Sequence, residues 1–154
     1  MKPVVHAIAG MVAMLTVTAF LLATLISELF LDHAAVIAVK HAIVVYGLAI
    51  LATAMVFTGG SGFSLAAIRK GKLLEKKQQR MSIIGFNGML IMVPAALFLN
   101  HKATVGQFDR VFYAVQGTEL IVGLVQLTLM ALNLWSGLKL TGRLRQRSAI
   151  SRRG

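Results

Sequence analysis

Residues 116–137 read QGTELIVGLVQLTLMALNLWSG. Within that run Gln116, Glu119, Gly123, Gln126, Met130, Asn133 and Gly137 recur at alternating spacings of three and four. Such spacing lays them along one face of a single helix. Met130 apart, the face is polar or small, while the residues around it are the Ile, Val and Leu of a lipid-facing segment. A glutamate carried into hydrocarbon is costly unless it faces other protein, water or a ligand. The stripe therefore predicts a helix bundle with a polar interior.

The rest of the chain agrees. Of 154 residues, 57% are hydrophobic and only 14% charged, and the mean hydropathy is +0.78. A soluble domain of this size has nowhere to bury so much apolar surface, so the bilayer must act as its solvent. Crossing roughly 30 Å of hydrocarbon takes about 20 helical residues. Four stretches are long enough, near Pro3–Leu31, Ala34–Thr58, Met81–Asn100 and Val111–Leu138. No segment alternates as the strand of a membrane barrel would. The expected fold is all-α, a polytopic membrane protein forming one four-transmembrane-helix bundle over residues 1–154. Lys2 and the long apolar run after it read as a retained first helix, because the run is too long for a secretory signal. Cysteine is absent, which excludes disulfides, iron–sulfur clusters and thiolate zinc sites.

Charge then orients the bundle. Thirteen of the sixteen Lys and Arg residues fall on one side: Lys2, the connection from Arg69 to Arg80, and the tail from Lys139 to Arg153. Positive-inside bias predicts that both termini, the basic loop 59–80 and the tail 139–154 are cytoplasmic, in a bacterial inner membrane. These clusters suit anionic lipid head groups. Nucleic acid is not an expected partner, since no aromatic platform or recognition fold accompanies the basic residues.

The periplasmic side has a tight turn at Asp32-His33 and a longer one around His101–Arg110. Thr58-Gly59-Gly60-Ser61-Gly62 reads as the end of the second helix, where glycine tolerates the terminating backbone angles. It lacks the Gly-Lys-Ser/Thr ending and the preceding strand of a phosphate loop. Phe63 to Ile68 can form a short helix at the interface, interrupted by Gly71. Gly10, Ala13, Gly85 and Gly88 offer small surfaces for close helix packing, and Pro94 predicts a kink in the third helix. No internal repeat suggests an inverted-repeat transporter.

Depth along the helices selects candidate site residues. At 1.5 Å per residue, Lys40 and His41 lie roughly 10 Å below the periplasmic surface, and Gln116 and Glu119 reach a similar depth. Glu28 stands near the same end of the first helix. Glu28, His41, Gln116 and Glu119, with Tyr113 one turn above the stripe, thus form a candidate metal or proton site. Carboxylates and imidazole can hold a divalent cation or relay protons. The alternative is mutual satisfaction, with Glu28 or Asp32 against Lys40 and His41 bonded to Glu119 or Gln116. His6 lies at the cytoplasmic end, with Gln126 and Asn133 as candidate neighbours by depth. His33 and His101 belong to periplasmic turns.

Histidines on the first two helices weakly resemble those of small b-type membrane cytochromes, which makes His6 and His41 candidate haem ligands. One bis-histidine haem needs both at one depth on facing helices, and the helix rise separates them by roughly 15 Å. Small multidrug transporters also carry four helices and a membrane glutamate, but Glu28 lies at a helix end rather than its middle. The runs Val4-Val5-His6-Ala7-Ile8-Ala9-Gly10, Ser27-Glu28-Leu29-Phe30, Thr58-Gly59-Gly60-Ser61-Gly62-Phe63 and Phe98-Leu99-Asn100 resemble those of an uncharacterised family of small proteobacterial four-span inner-membrane proteins. That resemblance implies an inner-membrane location and carries no activity. Three functions stay open: a proton, cation or small-ligand binding and relay protein, a haem-bearing redox subunit, and a structural or accessory subunit. The last implies a partner in a membrane complex or a second copy of the chain. No Ser/His/Asp arrangement, paired-histidine metal motif or phosphate loop nominates an enzymatic reaction.

Overall fold

In a computed structural model, residues 2–66 and 72–151 are described, and every element among them is helical. The order is α1 (Lys2–Phe30), α2 (His33–Ala42), a π-helical turn (Ile43–Gly47), α3 (Leu48–Ala66), α4 (Lys72–Asn87), a second π-helical turn (Gly88–Met92), α5 (Val93–Thr104) and α6 (Arg110–Ser151). Across the π turns α2 runs on into α3 and α4 into α5. The described segments Val4–Phe30, His33–Gly62, Glu75–Thr104 and Arg110–Lys139 are each long and apolar enough to cross a membrane. The protein is a multi-pass, all-α membrane bundle. Each span packs against its neighbour in sequence, and α1 closes the ring against α6. The second and fourth spans thus face each other diagonally.

Two ends can be told apart. The distal end holds the Leu31-Asp32 turn and the loop 105–109; the basal end holds the start of α1 and the α3 and α4 ends. At the distal end Asp32 caps α2 by accepting from the Ala35 N–H at 2.9 Å, as the N-terminal turn of a helix requires. Asp109 does the same for α6 through the Phe112 N–H. Its hydrogen bond from Lys102, then that from the Phe112 amide, holds its carboxyl below the ordinary aspartate range. Gly106 turns the loop with a φ of 69°, a conformation that favours glycine. Beneath lies an apolar plug of Val36, Leu99, Ala103 and Phe112 between α2, α5 and α6. His33 stacks on Phe108 over it, ring centroids 4.1 Å apart.

Several helix bounds differ from expectation. The glycine cluster does not end the second span: α3 continues through Gly59, Gly60 and Gly62 to Ala66. Each interior glycine costs about 1 kcal/mol relative to alanine, and the helix persists through all three. Likewise α4 begins at Lys72, well before Met81, and α6 runs past Leu138 to Ser151. The expected interfacial helix 63–68 falls partly within α3; Ala67 to Gly71 lie outside the described residues, as do the side chains of the tail arginines. Pro94 is preceded by a π turn in which the Val93 N–H bonds to the Gly88 carbonyl. Proline removes one donor from the helical ladder, and the register shift falls next to that gap. Of the small residues, Ala13 and Gly88 are buried, whereas a Cβ on Gly10 or Gly85 would meet nothing within 4 Å.

Candidate functional site

On α6 the polar stripe faces inward as its spacing predicts. Gln116, Glu119, Gln126 and Asn133 are all buried, and so is Ser136. On α2 and the π turn after it, the inward residues are Val36, Lys40, Ile43 and Gly47. Lys40 is therefore the cation that α2 sends into the bundle, and it is only 1% exposed. Its Nζ donates to Glu119 Oε2 at 2.8 Å, across the diagonal of the bundle. It also donates to Thr24 Oγ1 on α1 at 3.5 Å. Gln116 Nε2 donates to the same Glu119 oxygen at 3.4 Å.

Glu28 stands one turn above Thr24 on the same face of α1, half-buried, with Lys40 and His33 as its titratable neighbours. Its Oε1 is buried without a hydrogen-bond partner, and so is Gln116 Oε1. Asn100 Oδ1, also in the distal half, shares that condition. The distal half thus holds three buried acceptors that lack a donor. An unpaired buried acceptor costs about 1–3 kcal/mol, so these oxygens favour a proton or a donating molecule near them.

Of the residues nominated from sequence, Gln116 and Glu119 come together around Lys40, with Glu28 beside it. His41 does not join them. It follows Lys40 by about 100° of helical rotation and is exposed on the lipid-facing side. Tyr113 is also outward, 48% exposed, its ring edge against Phe112. Lys40 was a partner for Glu28 or Asp32 at the interface by depth; the structure buries it against Glu119 instead. The signal for it is the run 36, 40, 43, 47, which has inward spacing but lies in a segment that is mostly apolar on all its faces.

His6 lies in another part of the molecule. It is half-buried between α1 and α3, with Nδ1 3.1 Å from the Thr58 carbonyl and 3.2 Å from Ser61 Oγ. Lys40 is level with Thr24, eighteen residues along α1, so His6 and His41 are separated by roughly 27 Å in depth. The two histidines are not placed to share a haem. Among the described residues, no three His, Asp or Glu side chains gather as metal ligands. Gln126 is not beside His6 either: it accepts from Asn87 Nδ2 at 3.2 Å and donates to the Ile84 carbonyl at 3.1 Å. At the basal end Arg80 reaches α6, donating to the Leu132 carbonyl and Ser136 Oγ.

No protein family, curated protein or solved structure matches the chain. The buried cluster must be interpreted from its own chemistry.

Proposed function

We propose that this chain is a bacterial inner-membrane protein with both termini in the cytoplasm, and that Glu28, Lys40 and Glu119 form a proton-exchanging site in its periplasmic half. The observation that carries the reading is one buried ammonium with two carboxylates around it. Glu119 is bonded to Lys40, while Glu28 keeps a buried oxygen without a donor. With both carboxylates ionised the cluster carries a net charge of −1. Burying an uncompensated charge in a low-dielectric interior is expensive, so binding one proton neutralises the site. Gln116 holds the Glu119 carboxylate, and Thr24 helps aim Lys40. Ionised and protonated forms then differ by one proton on an internal carboxyl, the elementary step of a relay.

The test is infrared difference spectroscopy of the protein in lipid nanodiscs, taken from mildly acid to mildly alkaline buffer. A protonated-carboxyl band should titrate in the wild type and be lost or displaced in Glu28→Gln. A spectrum without such a band, unchanged by that substitution, would overturn the site. Orientation has an independent check because the chain lacks cysteine. In intact cells an impermeant thiol reagent should label Gln107→Cys, in the exposed distal loop, and spare Gly142→Cys at the basal end. The reverse labelling pattern would invert the topology.

A further inference from the structure

Between the ion pair and the middle of the bundle lies a partly open cavity of about 30 Å³. Thr24, Glu119 and Gln126 contribute its polar lining, and Ile43, Met92 and Ala96 are among its apolar walls. On this measure a water molecule needs about 10–15 Å³ and at least two polar partners. The volume suffices for about two waters, and three polar side chains border it. Glu119 and Gln126 are seven residues apart on α6, roughly 10 Å by helix rise. That gap is too long for a direct hydrogen bond and short enough for water to bridge.

We infer that this cavity binds water that links Glu119 to Gln126, making the proton site a half-channel that opens distally and ends at the Asn87–Gln126 pair. The distal opening follows from Glu28. The apolar plug seals α2, α5 and α6 around Phe112, but Glu28 on α1 is half-exposed beside it. The charged groups facing the path are Glu28 from α1, Lys40 from α2 and Glu119 from α6, with His33 at the mouth. The spans α4 and α5 add Asn87 and apolar walls.

The inner stop follows from Gln126. Each end of its amide spends one hydrogen bond on protein, on Asn87 and on the Ile84 carbonyl, which leaves one acceptor site and one N–H for water, and an amide takes up no proton to pass further. Nor does the following turn continue the polar path. Met55 sits beside Gly88, where an added Cβ would lie 3.6 Å from Met55 Cε, and Met130 interrupts the stripe on α6. Polar groups resume only at Asn133 and Ser136, next to Arg80. Protons reaching Glu119 therefore exchange with the distal side.

The sidedness rests on the proton-exchange reading, whereas the bound water does not, and two measurements separate them. X-ray radiolytic footprinting in nanodiscs generates hydroxyl radicals from bound water and labels adjacent methionines. Met92 on the cavity should be modified several-fold faster than Met89, which is 64% exposed on the apolar exterior of the same span. Filling the cavity with Ala96→Leu should remove that excess. Gly88→Ala is the gentler variant, since its Cβ would meet Gln126 and Met55 at ordinary contact distance. Labelling of Met92 no faster than Met89, or unaffected by either variant, would overturn the water.

In vesicles holding the protein in one orientation, a pH change on the distal side alone should move the carboxyl band. Equal response to the basal side would overturn the half-channel. No response to either would overturn the proton site itself, with the Met92 result still deciding the water.

Discussion

Replacing Lys40 with methionine will destabilise the bundle by about 3–5 kcal/mol, as will replacing Glu119 with leucine, while the double variant will recover most of the loss. The reason is the balance of two large terms. At 2.8 Å the attraction is about 6 kcal/mol for an effective dielectric of about 20. Dehydrating each ion costs several kcal/mol, so the intact pair is close to neutral for stability. Removing one partner leaves the other buried without the group that bonds it, and most of the dehydration cost is then felt. Removing both leaves two apolar side chains in an apolar interior. Reversible unfolding in mixed micelles would measure the cycle. Single variants each costing under about 1 kcal/mol, and adding in the double variant, would show that the pair is not a coupled buried unit. The double variant also separates two roles. A lock between diagonal helices would be replaced by packing, whereas a relay through Glu119 would be lost even in a stable bundle that keeps Glu28.

That pair marks the limit of what could be read from the sequence. The four spans were legible because hydrocarbon imposes a length and a composition, and α6 was legible in detail. Its polar residues stand out against Ile, Leu and Val, so spacing alone identified Gln116, Glu119, Gln126 and Asn133 as inward. On α2 the contrast fails. A membrane helix is apolar on its lipid side and on its packed side, so the choice between adjacent Lys40 and His41 depends on rotation. Depth counting treats neighbours as equivalent, but 100° of rotation puts one in the core and the other against lipid. Chemical type misled as well, since imidazole suits a ligand site better than ammonium does. The Thr58–Gly62 run shows another limit. Glycine is tolerated at a helix end and also, at about 1 kcal/mol each, inside a helix, so its presence alone does not fix the boundary. The cavity beside Glu119 was not legible at all. It depends on how Ile43, Met92 and Ala96 from two other spans fit together, which no single segment encodes.

The largest steric effect is expected at Gly47, where α2 and α3 join through the π turn. A Cβ built there would fall well inside van der Waals contact with Phe20 Cζ and Cε1. No real pair of carbons approaches so closely, so Gly47→Ala must displace the ring or part the helices. Phe20 is half-buried and lines the cavity next to Ile43 and Leu48, which limits how far the ring can swing without losing its packing. Overpacking of this kind costs about 1–3 kcal/mol. The better helix propensity of alanine returns about 1 kcal/mol at most, so the net effect should be destabilising. Shortening the opposing side chain tests the cause: in Phe20→Leu the same Gly47→Ala change should cost much less, giving a clear coupling in a double-mutant cycle. The control is Gly10→Ala on α1, where a Cβ meets nothing within 4 Å. That change should be neutral or stabilising in the same unfolding assay. If Gly47→Ala behaves like Gly10→Ala, the α1 contact with the π turn is looser than the Phe20 geometry requires. If it destabilises and Phe20→Leu rescues it, glycine at 47 is what lets α2 and α3 approach α1, and the same contact holds Thr24 where it meets Lys40.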